Sequence, residues 1–166
     1  MTQILLLLAA LAVAQHPPMP PGMTHEEHLA QMKKDEDVKR RGAVAMGFDQ
    51  DKTTHHFLLT VDGGAIEVSV NEASDSTNRD AIRSHLKEIA VEFAHGDFAK
   101  PFATHSEVPP GVKAMQQRLR VITFRYEDTV SGGRVLIQTA DRKAKNAVQE
   151  FLRYQIREHS TGDPLS

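Results

Sequence analysis

Apolar and polar residues alternate through Phe57, Leu59 and Val61, the chain turns at Asp62-Gly63-Gly64, and the alternation resumes through Ile66, Val68 and Val70. A period of two on either side of a glycine turn predicts a β-hairpin with one buried face. The period then lengthens. Ile82, Leu86, Ile89 and Phe93 recur at helical spacing, Asp75 stands where an N-cap belongs, and Gly96 is the expected stop. The same plan follows again: Ile122, Phe124 and Tyr126, a turn at Ser131-Gly132-Gly133, then Val135 and Ile137. A second helix over Val148, Phe151, Leu152 and Ile156 should begin at Asp141 and end at Gly162.

The likeness extends to the letters. Thr60-Val61-Asp62-Gly63-Gly64 returns as Thr129-Val130-Ser131-Gly132-Gly133, and Asp75–Asp97 aligns without gaps on Asp141–Asp163 at an offset of 66. Six positions coincide there: Asp75/Asp141, Ala81/Ala147, Leu86/Leu152, Glu92/Glu158, Gly96/Gly162 and Asp97/Asp163. An internal duplication accounts for this better than chance. Each ββα unit has one apolar sheet face and one apolar helix face, and neither can be buried alone. The expected fold is therefore α+β. Two hairpins pair edge to edge into a four-stranded antiparallel sheet, covered on one face by two antiparallel helices.

Three stretches lie outside the repeats at 55–97 and 119–163. Ile4–Ala14 is an apolar run ending in Ala12-Val13-Ala14, the pattern of a signal peptide cut after Ala14. It is shorter than the ~20 residues that span a bilayer, so the mature chain is expected in the periplasm or outside the cell, with no membrane span. Residues 15–48 form a Pro-rich leader and a charged helical arm. Thr24 and Glu27 make a capping box, Gly42 is the expected stop, and so little is apolar that loose docking is expected. Residues 49–166 are the duplicated domain, and the segment from Phe98 to Lys113 reads as a connecting loop.

Composition narrows the function. The chain has no cysteine, which removes disulfides, thiolate metal sites and a Cys nucleophile. Net charge is −2 with no Trp, which argues against a nucleic-acid partner. The enriched type is histidine, with nine. The repeat sorts them: His55 aligns with Phe124, His85 with Phe151 and His159 with Phe93, so these three should face the layer between helices and sheet. Three inward imidazoles at one edge would suit Zn(II) or Cu(II). The competing reading is that His replaces a Phe ring of similar area in the core. His56 should point away from His55, onto the open face or the sheet edge. On the arm, Met23, His25, His28 and Met32 combine thioether and imidazole, a mixture that suits copper; a flexible polar arm would carry them equally. The Gly-Gly pairs read as turn residues supplying positive φ, and Asp97 and Asp163 as turn or cap residues after helix-ending glycines.

Thr54-His55-His56-Phe57-Leu58-Leu59, Asp62-Gly63-Gly64 and Phe151–Asp163 together resemble a small family of exported bacterial proteins with no assigned activity. The resemblance implies export and transfers no mechanism. The sequence thus points to an exported, non-enzymatic binding protein with a role in copper or zinc handling. The alternatives are an interaction module that docks a protein partner on the open sheet face or the arm, with structural histidines only, and an enzyme using the inward histidines as acid–base groups.

Overall fold

The computed structural model describes residues 19–166, so the expected signal peptide and its cut lie outside the described residues. The strands are β1 (Thr53–Thr60), β2 (Gly63–Val70), β3 (Thr123–Asp128) and β4 (Gly132–Gln138). They form one antiparallel sheet in the order β1-β2-β4-β3. Each hairpin therefore contributes its second strand to the central seam.

That seam explains the glycines. Gly63 lies opposite Gln138, and Gly132 lies opposite Ser69. A Cβ on Gly63 would fall inside the van der Waals radius of the Ile137 carbonyl oxygen, and one on Gly132 inside that of the Val68 oxygen. The expectation that these glycines serve the turn through positive φ needs correction. Gly63 has a φ of 145°, but Gly132 is not in the left-handed region, and close backbone approach is what both positions share.

Helices α2 (Ser76–Ala94) and α5 (Arg142–Glu158) cover one face of the sheet. Asp75 accepts the Asn78 N–H at 3.0 Å and Asp141 accepts the Ala144 N–H at 2.7 Å, the two expected caps. Each helix lies mainly over the other unit's hairpin: α2 over β3 and β4, α5 over β1 and β2. Corresponding side chains clasp corresponding turns. Arg83 donates to the carbonyls of Gly132 (3.0 Å) and Thr129 (2.8 Å), and Gln149, 66 residues on, donates to that of Thr60 (2.9 Å). Ile82, Leu86 and Phe93 from α2, Val148, Phe151 and Leu152 from α5, and Val68, Val135 and Ile137 from the sheet are buried between them. Among the described residues no helix is long and apolar enough to cross a membrane.

The flanking segments are more ordered than their composition suggests. The arm helix α1 runs His25–Met46, past the expected stop at Gly42, and ends at Gly47 with φ 74°. Gly42 is buried inside it, where the Gln50 amide and the Met46 methyl occupy the space a side chain would need. The arm is docked through buried Val38 and through Arg41, whose Nε donates to the Thr104 carbonyl at 2.8 Å. Thr104 belongs to α3 (Ala99–His105), a helix within the stretch read as a loop; α4 (Val112–Gln116) follows it. Helix α5 stops at Glu158, before Gly162, because Ser160 already takes the left-handed conformation with φ 50°.

Candidate functional site

The β1 alternation puts His55 on the helix-covered face beside buried Phe57, and helical spacing puts His85 on the inner side of α2. His159 is the C-cap residue that follows α5. All three line one cavity of about 60 Å³, as the internal alignment predicts. A fourth histidine joins them: His105, the last residue of α3. Between the rings sits Phe48, which follows the left-handed Gly47. Its ring stacks on His55 at 5.6 Å and meets His85 edge-on at 5.7 Å. His55 and His159 are near-parallel with centroids 6.0 Å apart, and His105 meets His159 at 5.1 Å, nearly perpendicular.

The second unit supplies the comparison. Phe124 and Phe93, the counterparts of His55 and His159, have centroids 6.0 Å apart, and Phe151, the counterpart of His85, stands 5.9 Å from Phe93. Phe98 packs on Phe93 at 4.3 Å and on Phe151 at 6.0 Å, whereas Phe48 packs on His55 and His85. One set of ring sockets is thus filled by phenyl rings and its twin by imidazoles.

Burial holds these imidazoles neutral. It drives His55 down to about 4, helped by the neighbouring His56, and His85 to about 4, helped by Lys100. His159 falls to about 3, from burial first and then from His105 and His55. His105 is lowered by burial against the opposing pull of Gln155, Glu158 and Glu107. Its Nε2 lies 2.9 Å from the Gln155 amide oxygen, an acceptor, which places the ring proton on Nε2 and leaves Nδ1 a bare lone pair. That Nδ1 is buried without a partner, as are His55 Nε2 and Gln155 Nε2. His105 and Gln155 are both more than nine-tenths buried. Unpartnered buried groups of this kind cost about 1–3 kcal/mol each.

His55 and His159 also form the back wall of a larger cleft, about 380 Å³, between α1 and the end of α5. Its rim carries Asp35, Asp51 and Glu158; Lys39 pairs with Asp51, and Lys34 with Glu158 at 2.8 Å. In their present rotamers, no three His, Asp or Glu side chains among the described residues are grouped to hold a metal ion.

The arm set stays apart. Thr24 caps α1 reciprocally with Glu27, His25 is exposed, and Met23, His28 and Met32 are partly buried. At 1.5 Å per residue, His25 is about 30 Å along the helix from Met46 and the cavity. His56 reaches the sheet edge, where its Nδ1 meets Asp163 at 2.7 Å. Asp163 is more than a turn residue: it also accepts the Phe57 N–H at 2.9 Å and the Thr161 hydroxyl at 2.7 Å, closing the free edge of β1. Those three donors keep its carboxyl low although burial opposes them. Asp97 differs, accepting the Ala99 N–H at the start of α3.

Sequence reasoning missed His105, Gln155 and Phe48. His105 has no counterpart in the repeat, so the alignment could not sort it; the available signal was Asp97 with Pro101 in the first turn of a helix. Compared with known proteins, the chain matches no family model, no curated protein and no solved structure. The site has to be interpreted from its own chemistry.

Proposed function

We propose that this chain is an exported, non-enzymatic binding protein whose cavity captures copper or zinc on His55, His85, His105 and His159. The observation that carries the reading is the pair of ring sockets. Phenyl rings satisfy the packing in one unit, so imidazoles in the other cost desolvation that packing alone does not require. Neutral imidazole is the metal-ligating form. His105 supports the reading further, since a ligating histidine commonly gives its other N–H to a carbonyl oxygen, as this one does to Gln155. Binding entails rotation of the rings toward a common point within the cavity.

The test is titration of the protein with Zn(II), Cu(II) and, without oxygen, Cu(I). Saturable binding tighter than about 1 μM, lost in His55→Ala, His105→Ala and His159→Ala variants, is expected. Absence of such binding for all three ions overturns the proposal. A second reading, docking of a protein partner on the open sheet face, rests on Leu58 and Leu136, which the register aligns on either side of buried Ala65. The row is narrow, flanked by Arg125, Glu127 and Arg134, which pair among themselves.

A further inference from the structure

The cavity wall includes a sulfur. Met46, the last residue of α1, lines the cavity, and together with His85 it lines a second groove that opens beside Glu88. Gly47 then turns left-handed and Phe48 inserts between His55 and His85, so the end of the arm brings Met46 into the wall that the imidazoles also line.

The donors available are imidazole, thioether and amide. Among the described residues no carboxylate lines the cavity, and the charged lining residue, Lys100, is a cation bonded to Glu88 and Glu92 at 2.8 Å each. Charge therefore decides what can enter. The self-energy of a buried ion grows as the square of its charge, so a divalent ion costs about four times as much to bury as a monovalent one. Thioether with imidazole and no thiolate is a soft, uncharged donor set, which selects Cu(I). Cu(I) is also a low-coordination ion, so fewer rings need to rotate than for a tetrahedral Zn(II) site.

We infer that the cavity is a Cu(I) site in which Met46 is a ligand beside the cavity imidazoles, so that loading fastens the arm helix to the sheet. The inference rests on the metal-binding reading above and adds the ion and the sulfur ligand to it.

The experiment uses the full chain, titrated anaerobically with Cu(I) against bicinchoninate and separately with Zn(II) against a chromophoric chelator. The wild type is compared with Met46→Leu, a change that keeps side-chain volume. Cu(I) should bind at least ~100-fold more tightly than Zn(II), and Met46→Leu should weaken Cu(I) by at least ~10-fold while leaving Zn(II) within about 2-fold. X-ray absorption at the copper edge of the wild-type complex should report sulfur beside nitrogen, a readout that does not depend on how the variant folds. Zn(II) binding with Cu(I) no tighter, or a copper site without sulfur, overturns the Cu(I) assignment and leaves the metal-binding reading intact. No saturable binding of either ion overturns both.

Discussion

As the pH falls from 7 to 5, the histidine cavity should become the weak point of the fold. His55 and His85 are held at about 4 and His159 at about 3, against 6.5 for the free side chain. A histidine whose folded value lies below its unfolded one takes up its proton more readily in the unfolded chain. Its contribution is therefore intact above about pH 6.5 and is lost progressively as the pH falls toward the folded value. For a ring at about 4 when folded and 6.5 when unfolded, the loss by pH 5 is about 2 kcal/mol. Three such rings would give about 6 kcal/mol, and the partial exposure of each to water screens the charge, so about 3 kcal/mol is expected. Carboxylates contribute little in this window, because unfolded Asp and Glu titrate near 4.

Urea denaturation followed by circular dichroism at pH 7, 6 and 5 measures the effect. A loss of about 3 kcal/mol lowers the midpoint by on the order of 1–2 M, with little change in slope. The control is the triple variant His55→Phe, His85→Phe, His159→Phe, which copies the rings of the twin sockets. Its midpoint should vary much less over the same range. A wild-type midpoint that moves by less than about 0.3 M, or a triple variant that falls as steeply, refutes the reasoning.

Two further outcomes test the scaffold. Gly63→Ala and Gly132→Ala each drive a methyl into a carbonyl across the β2–β4 seam, and each should lower stability by about 2–3 kcal/mol, visible as a drop in Tm; an unchanged Tm would mean the strands are not so closely seated. Asp163→Ala leaves the Phe57 N–H without its acceptor and should cost about 1–3 kcal/mol, with faster hydrogen exchange at the Phe57 amide. His56→Ala should leave that amide protected, since Asp163 still accepts from it; equal loss of protection in both variants would assign the edge closure to the pair rather than to the carboxylate.

The legible parts of this fold are those governed by local periodicity. Alternation at Phe57–Val70 and Ile122–Ile137 marks strands, and Asp75 and Asp141 mark caps, because each depends on neighbours within a few residues. The internal alignment went further and placed His55, His85 and His159 in one layer. What stayed hidden depends on distant contacts. Gly42 reads as a helix stop, but its buried position against Gln50 and Met46 keeps the helix running. Asp163 reads as punctuation after Gly162, and only the fold brings it 107 residues back along the chain to His56. Phe48 and His105 lie outside the repeat, so neither periodicity nor alignment could bring Phe48 against His55 and His85 or His105 into the cavity.

The two socket sets differ in one chemical respect. Phe124, Phe93 and Phe151 show that the scaffold accepts a phenyl ring at each position, and the first two stand 6.0 Å apart, as His55 and His159 do. Ring position is therefore shared between the units, while ring orientation differs, stacked for the imidazole pair and edge-on for the phenyl pair, and so does polarity. Exchanging phenyl for imidazole adds a desolvation cost and an acid-labile core, the quantity the pH titration reads. A cost of that kind at one end of the duplicated plan, absent at the other, is what supports the proposed metal site at that end. The arm closes over that end, with Phe48 seated among the imidazoles and Met46 beside them. Copper titration and acid denaturation thus probe the same residues from opposite directions. A ligand that binds neutral imidazole should restore at pH 5 the stability that protons remove, and to a degree set by its affinity and concentration.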